Sequence, residues 1–159
     1  MNITIICLGK LKEKYLKDAV QEYTKRLCAY GKVDIIELNP VRLSDNPSAQ
    51  EIDNALEKEA EEIKKKLPNN SYTFALCIEG QPKSSENFAQ TIKNAAIGGK
   101  SNITFIIGSS FGLSEDVKVL ADNRLSFSPM TFPHQLMRVM LLEQIYRAFQ
   151  INNNGKYHK

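Results

Sequence analysis

The sequence predicts an α/β domain with a mostly parallel sheet flanked by helices, and two observations carry that prediction. Five short runs have the length and the β-branched or aromatic content of buried strands: residues 2–8 (NITIICL), 32–38 (KVDIIEL), 71–78 (SYTFALCI), 102–108 (NITFIIG) and 123–128 (NRLSFS). Helical patterns fill the intervals, and strands that alternate with helices pair in parallel because each crossover returns the chain to the same end of the sheet.

In the first interval Tyr15, Leu16, Ala19, Val20, Tyr23 and Leu27 recur at helical spacing and form one apolar stripe. Ile52, Ala55, Leu56, Ile63 and Leu67 do the same in the second, within a segment 50–67 whose Glu and Lys residues are spaced to pair along a solvated face. The third helix has Ser84 or Ser85 to cap its start, Glu86 in its first turn and Gly98-Gly99 to end it. A fourth, short helix starts near Ser114. The fifth, 134–151, is of another kind: Gln135, Arg138, Glu143, Gln144 and Arg147 scatter over more than half of its wheel, with Val139, Leu142 and Tyr146 among them. No face is reserved for water, which predicts a core helix or a subunit contact; in a chain of this size the subunit contact is the expectation.

A chain of 159 residues suits one core, and 1–159 reads as a single domain. Only 39–49 (NPVRLSDNPSA) has linker composition, and it falls too early to separate two domains. With 42% hydrophobic and 25% charged residues the chain belongs among soluble globular proteins. The apolar run before Lys10 is too short for a signal core or a membrane span, so a cytoplasmic protein with no membrane contact is expected. Cys7, Cys28 and Cys77 are odd in number, lack Cys-x-x-Cys spacing and sit in apolar contexts, which predicts buried thiols, with no disulfide framework and no metal site. Net charge is only +3. Between Lys10 and Lys32 seven basic residues face three acidic ones, a pattern read first as a solvated helix face and second as a surface for nucleic-acid phosphates.

Ligands of parallel α/β sheets bind beyond the carboxyl ends of the strands. The first strand ends CLGKLKEK, with a single glycine, and neither G-x-G-x-x-G nor G-x-x-x-x-G-K-[ST] occurs anywhere, which sets aside the common nucleotide sites. A phosphoacceptor receiver domain would need acidic residues where this chain has Cys7, Leu8 and Gly9. The later strand ends read LCIEGQPKSS, IIGSSFGLS and SFSPMTFPH, loops of Gly, Ser and Pro with bulky apolar residues. Gly80, Gly108 and Gly112 would let backbone approach a ligand, while Leu76, Phe111, Met130 and Phe132 supply apolar walls suited to a neutral or cationic aromatic ligand. His134 follows Pro133 at a helix start and reads as structural, because a helix N-terminus disfavours imidazolium.

Taken together, LSFSPMTFPHQLMRVMLLEQIYRAF with the terminal YHK, IGSSFGL and EGQPKSS resemble the SPOUT-class ribosomal RNA large subunit methyltransferase H family, whose members methylate N3 of a pseudouridine in large-subunit (23S) ribosomal RNA. The similarity runs from ICLGKLKEKYLKDAVQEYTKRL to the last residue. It implies a SPOUT-type α/β knot, with the C-terminal segment threaded through a loop as a trefoil knot that holds S-adenosylmethionine. It also implies a homodimer packed through the last helix, acting on ribosomal RNA within the ribosome.

By position the resemblance assigns cofactor contacts to Leu76, Gly108, Phe127, Ser128, Pro129, Met130, Thr131 and Phe132. Family members commonly carry two consecutive glycines where this chain has Gly108-Ser109. Arg147, Tyr157, His158 and Lys159 are implied to face the RNA beside the other subunit's cofactor. Because N3 of pseudouridine carries a proton, a base is needed, and His158 is the expected one, with Tyr157 and Lys159 orienting the nucleotide or stabilising its anion. Two other readings compete. One is a SPOUT enzyme acting on transfer RNA or ribose oxygens, and the other is a ribosome-binding protein that transfers no methyl group.

Overall fold

The β-branched runs become the strands of a single sheet in the computed structural model, which describes residues 1–159. In chain order the elements are β1 (Asn2–Leu8), α1 (Lys14–Leu27), β2 (Val33–Leu38), α2 (Ala49–Lys66), β3 (Ser71–Pro82), α3 (Ser85–Ile97), β4 (Asn102–Ile107), α4 (Glu115–Leu120), β5 (Asn123–Ser126) and α5 (His134–Asn152). All neighbouring strands are parallel, in the order β2-β1-β4-β3-β5. Every strand therefore ends at the same edge. The connection from β1 leads to β2 at one side and that from its neighbour β4 leads to β5 at the other, so the loops after these two strands diverge and leave a crevice.

Strands buried on both faces read as continuous apolar runs, and β1 and β4 do so: Ile5 and Ile6, or Phe105 and Ile106, point to opposite cores. One core packs the sheet against α1, α3 and α5 around Phe74 and Phe105, whose rings stack at 4.9 Å, and Phe88. The other packs it against α2 and α4 through Ala60, Ile63, Ala75 and Val117. Serine caps start three of the helices, with Ser48, Ser84 and Ser114 accepting the amides of Glu51, Asn87 and Val117.

The helix without a water face lies on the sheet between α1 and α3, burying Leu141, Leu142, Ile145, Ala148 and Phe149. Several of its scattered polar residues find partners inside the same chain. Gln144 accepts from Ser85, and Gln150 donates to the hydroxyls of Tyr30 and Tyr146.

The start of α5 is tied across the sheet edge. Arg138, 1% exposed, donates Nη1 to Glu37 Oε2 at 2.9 Å and Nη2 to the carbonyl of Gly9 at 3.0 Å, at the ends of β2 and β1. Glu37 Oε2 also accepts the Leu11 amide at 3.2 Å, and the Lys12 amide donates to Gln135 Oε1 at 2.9 Å. Leaving β5 at one side of the sheet, the chain must cross the ends of β3 and β4 to reach this tether, and residues 127–133 make that crossing.

Two sequence expectations need correction. Only Cys7 is buried, and burial pushes its thiol up to about 12; Cys77 is half-buried, and Cys28, in the exposed last turn after α1, is open to solvent despite its apolar neighbours. The third strand does not stop at residue 78. After a register shift past Leu76, Gln81 and Pro82 pair again with Leu125 and Ser126 of β5. Gly80 permits this, since a Cβ there would lie 2.8 Å from the carbonyl carbons of Arg124 and Leu125. Gly80 thus serves strand approach and not a ligand.

Replacing Arg138 by Met keeps the length but strands Glu37 and the Gly9 carbonyl. The expected cost is about 2–3 kcal/mol, discounted because Glu37 is partly exposed. Thermal unfolding should shift down by roughly 5–10 °C. Glu37→Gln, which keeps an acceptor oxygen, should cost less than half as much, and an unchanged melting temperature in Arg138→Met would contradict the tether.

Candidate cofactor cleft and the C-terminal cluster

Three segments at the C-terminal edge enclose a cleft of about 670 Å³. Its walls come from Leu76 to Glu79 within β3, residues 107–113 from the end of β4 onward, and Leu125 with most of residues 127–134 leading into α5. The 108–113 loop is a tight turn. The Gly112 amide donates to the Ser109 carbonyl at 2.9 Å, and Gly112 has φ +85°, a conformation that favours glycine. Gly108 is packed beneath it so closely that a Cβ would sit 2.3 Å from the Gly112 carbonyl oxygen. Leu113 then buries into the core and Ser114 caps α4.

The 127–133 crossing is shaped by its serines: Ser126 donates to the Ser128 carbonyl at 3.2 Å, and Ser128 Oγ accepts the Met130 amide at 3.0 Å. Of the eight residues assigned to cofactor contact, the structure brings Leu76, Gly108, Phe127, Ser128, Met130, Thr131 and Phe132 to the cleft wall. Pro129 lies in the crossing but does not line the cleft. Residues the sequence reading did not single out join them: Ile107, Leu125 and Met137 extend the apolar wall, and Lys118 reaches in from α4.

The charges in this cleft are few. Lys118 is paired with Glu79, which holds the Glu79 carboxyl below its usual range. His134 is pushed below the ordinary imidazole range, first by burial and then by Arg138 and Lys12, so near neutral pH it adds no positive charge. With its only lysine already paired, the cleft has no cluster to hold a polyphosphate. It is suited instead to a flat aromatic group between apolar walls, with backbone and hydroxyl groups at the rim for a sugar or a short polar chain. S-adenosylmethionine, an adenosine bearing a sulfonium, has that chemistry.

The residues assigned to catalysis lie elsewhere in the protomer. After α5 the chain turns through Asn154 and Gly155, whose amide donates to the Gln150 carbonyl at 2.7 Å, and folds back on the helix. Tyr157 donates to Glu143 Oε2 at 2.9 Å, and the Arg147 guanidinium lies 4.7 Å over the Tyr157 ring while binding Glu143 Oε1 at 2.6 Å. His158 Nε2 is 2.8 Å from Glu86 Oε1, and its Nδ1 is 3.4 Å from Arg147 Nη1. Lys159 makes no ion pair. None of these four residues lines the cleft.

The partners of neutral His158 set its tautomer. Arg147 can only donate, so Nδ1 accepts and Nε2 carries the proton that goes to Glu86. A hydrogen bond to its own backbone amide comes first, and His158 second, in pushing Glu86 down to about 2. Glu143 was legible as a partner of Arg147 from their spacing of one helical turn, whereas Glu86, 72 residues from His158, carried no such signal. Between cluster and cleft lies a second cavity of about 370 Å³, which shares Leu125 and Phe127 with the cleft and takes Glu143 into its wall.

Comparison with known proteins agrees with this geometry. The family model described as "Predicted SPOUT methyltransferase" matches residues 1–158. The chain belongs to the SPOUT methyltransferase family. Full-length relatives of this SPOUT chain include "Ribosomal RNA large subunit methyltransferase H" of Clostridioides difficile, 52% identical, and "Ribosomal RNA large subunit methyltransferase H 1" of Clostridium perfringens, 53% identical, each alignment covering 100% of both chains. A Methanococcus maripaludis protein reaches 55% with the same coverage. Among solved structures, "Crystal Structure of Probable Methyltransferase from Bordetella pertussis Tohama I" superposes with a TM-score of 0.54 at 13% identity, covering 92% of this chain and 93% of that one, and shares the fold.

Gly108→Ala should force the 108–113 turn off its packed position and lower stability by about 1–3 kcal/mol, read by denaturant unfolding. A variant as stable as the parent would show that the turn is not held as tightly as its contacts indicate.

Proposed function

We propose that this SPOUT chain is an S-adenosylmethionine-dependent methyltransferase that methylates N3 of a pseudouridine in large-subunit (23S) ribosomal RNA, acting as a homodimer on the ribosome. The observation that carries the reading is an aromatic-walled cleft, free of a phosphate-binding cluster, at the crevice of a SPOUT sheet. The target comes from the full-length likeness to proteins named as ribosomal RNA large subunit methyltransferases. On this reading the whole chain is one catalytic domain and works in the cytoplasm, where its substrate is.

Leu76, Gly108 and residues 127–132 would hold the cofactor, with backbone groups on adenine and ribose and Leu76, Phe127 and Phe132 against the purine. The crossing over β3 and β4 would be the cover of the trefoil knot. When bound, the cofactor supplies a methyl group on a positively charged sulfur. The chain's own task is positioning, since bringing two reactants together removes most of the entropic cost of their encounter.

In one protomer the tail cluster stands apart from its own cleft. A dimer formed through α5 would set Arg147, Tyr157, His158 and Lys159 beside the partner's cleft. Both ring nitrogens of His158 are engaged, and Nδ1 carries the only lone pair, so it takes the N3 proton only after giving up Arg147. Entering RNA, whose phosphates compete for Arg147, provides the reason for that release. With a net charge of +3, each subunit offers little attraction to phosphates, and contacts from two subunits and an assembled ribosome supply the missing area.

Ribosomes lacking the modification should accept labelled methyl from S-adenosylmethionine, and mass spectrometry of the nucleosides should find methylated pseudouridine. Cofactor binding without transfer to ribosomes would move the target to another RNA such as transfer RNA. Absence of binding would favour a non-catalytic ribosome-binding protein. In the same assay His158→Ala should slow single-turnover transfer by about 10²–10⁴-fold with cofactor affinity kept; an undiminished rate would remove His158 as the base.

A further inference from the structure

Glu59 is a carboxylate that the proposed reaction leaves unused. It sits on α2, only 5% exposed, between Ala55, Ala60 and Ile63 of the apolar face. No Lys, Arg or His forms an ion pair with it. Its two oxygens are taken by two separate loops instead: Oε1 accepts the Val41 amide at 3.0 Å, and Oε2 accepts the Ser109 hydroxyl at 3.0 Å. Burial pushes its pKa up against the pull of these two donors. A buried carboxylate with neutral partners is costly, and an apolar side chain would pack this helix face without that cost.

The cost falls where a loop of the cleft needs an anchor. Within the 108–113 turn the Gly112 to Ser109 hydrogen bond and the Gly108 contact hold the turn to itself. Leu113 anchors the far end of the turn in the core, but Phe111 is 47% exposed and anchors little near Ser109. The Ser109–Glu59 bond is the one side-chain hydrogen bond from this turn to the rest of the chain, and Ser109 stands in the wall of the cleft as well as in that of a small cavity of about 190 Å³ beside Glu59 and Val41.

We propose that Glu59 is a positioning residue for methyl transfer, acting through Ser109 to hold the 108–113 turn in the shape that closes the cofactor cleft. Its second bond, to Val41, joins the 39–44 segment to the same anchor, so the two loops move as one. This inference rests on the reading that the cleft binds S-adenosylmethionine.

The test is a mutant cycle on the full chain, with S-adenosylmethionine affinity measured by isothermal titration. Ser109→Ala and Glu59→Leu should each weaken Kd by about fivefold to tenfold, the loss of roughly one hydrogen bond. The double variant should be no weaker than the worse single one, because both changes break the same contact. Glu59→Gln should stay within about twofold of the parent, since its carbonyl can take the Val41 amide while its amide donates to Ser109 Oγ. Ser109→Ala should lower the melting temperature of the free protein by only about 2–6 °C, the cost of one unpaired carboxylate oxygen, and leave it folded at the temperature of titration, which separates positioning from general stability.

Unchanged affinity in Ser109→Ala, penalties that multiply in the double variant, or Glu59→Gln as weak as Glu59→Leu would each overturn the inference. Should Glu59→Leu fail to fold, Ser109→Ala and Glu59→Gln still decide. A parent protein that does not bind S-adenosylmethionine overturns the cofactor reading and this inference with it, whereas a binding parent with an indifferent Ser109→Ala overturns the inference alone.

Discussion

A buried guanidinium decides where the last fifth of this molecule goes. Arg138 joins Glu37 and the Gly9 carbonyl, so α5 must begin above the ends of β1 and β2 even though β5 ends at the far side of the sheet. Between those two fixed points the chain has only residues 127–133. The crossing is therefore stretched over β3 and β4, and the cleft is the space left beneath it. Helix α5 then runs down the sheet between α1 and α3, which places Arg147 and the tail on the opposite side of Phe127 from the cleft. The crossing, the cleft wall and the position of the tail follow from one tether, made by an arginine whose buried Nε has no partner.

The chemistry of the two halves differs in the same way. The cleft carries neutral walls, one paired lysine and an imidazole held neutral by burial, an environment that accepts a sulfonium cofactor without competing cations. The tail cluster carries both signs of charge: Glu86, His158, Arg147, Glu143 and Tyr157 form one chain of contacts on the surface of α3 and α5. Burial, and then the Glu143 carboxylate, push Tyr157 above its ordinary range, so it holds its proton and donates. Glu143, Arg147 and His158 are half-buried in it, while Glu86 and Tyr157 are exposed. The cluster can exchange its internal partners for those of a polar nucleic acid at small cost.

How much of this was legible in the sequence depends on the range of the interactions. The strands and helices stood out because β-branched runs and helical stripes are local, and so did the serine at the start of α3, whereas the Ser48 cap of α2 went unread. Leu76, Gly108 and the 127–132 crossing, Pro129 apart, were legible as cleft residues through the loop composition and the family resemblance. Glu79-Gly80-Gln81-Pro82 looked like loop and is strand, since its pairing with β5 depends on a register shift that no local pattern encodes. Arg138 looked like one more polar residue on an undivided helix; its partner is 101 positions away. Cys28 misled because apolar neighbours in sequence are not neighbours in space at a helix end. Glu59, masked by a Glu-rich solvated face, was invisible for the same reason: nothing in a charge run marks the one carboxylate that turns inward.

Titrating the isotopically labelled protein with S-adenosylmethionine and following backbone amide shifts locates the bound cofactor. If it lies in the cleft beneath the 127–133 crossing, the largest changes fall at residues 76–79, 108–113 and 127–134. Changes centred instead on Ser84, Ser85, Met140 and Gln144, around the second cavity, would contradict that placement.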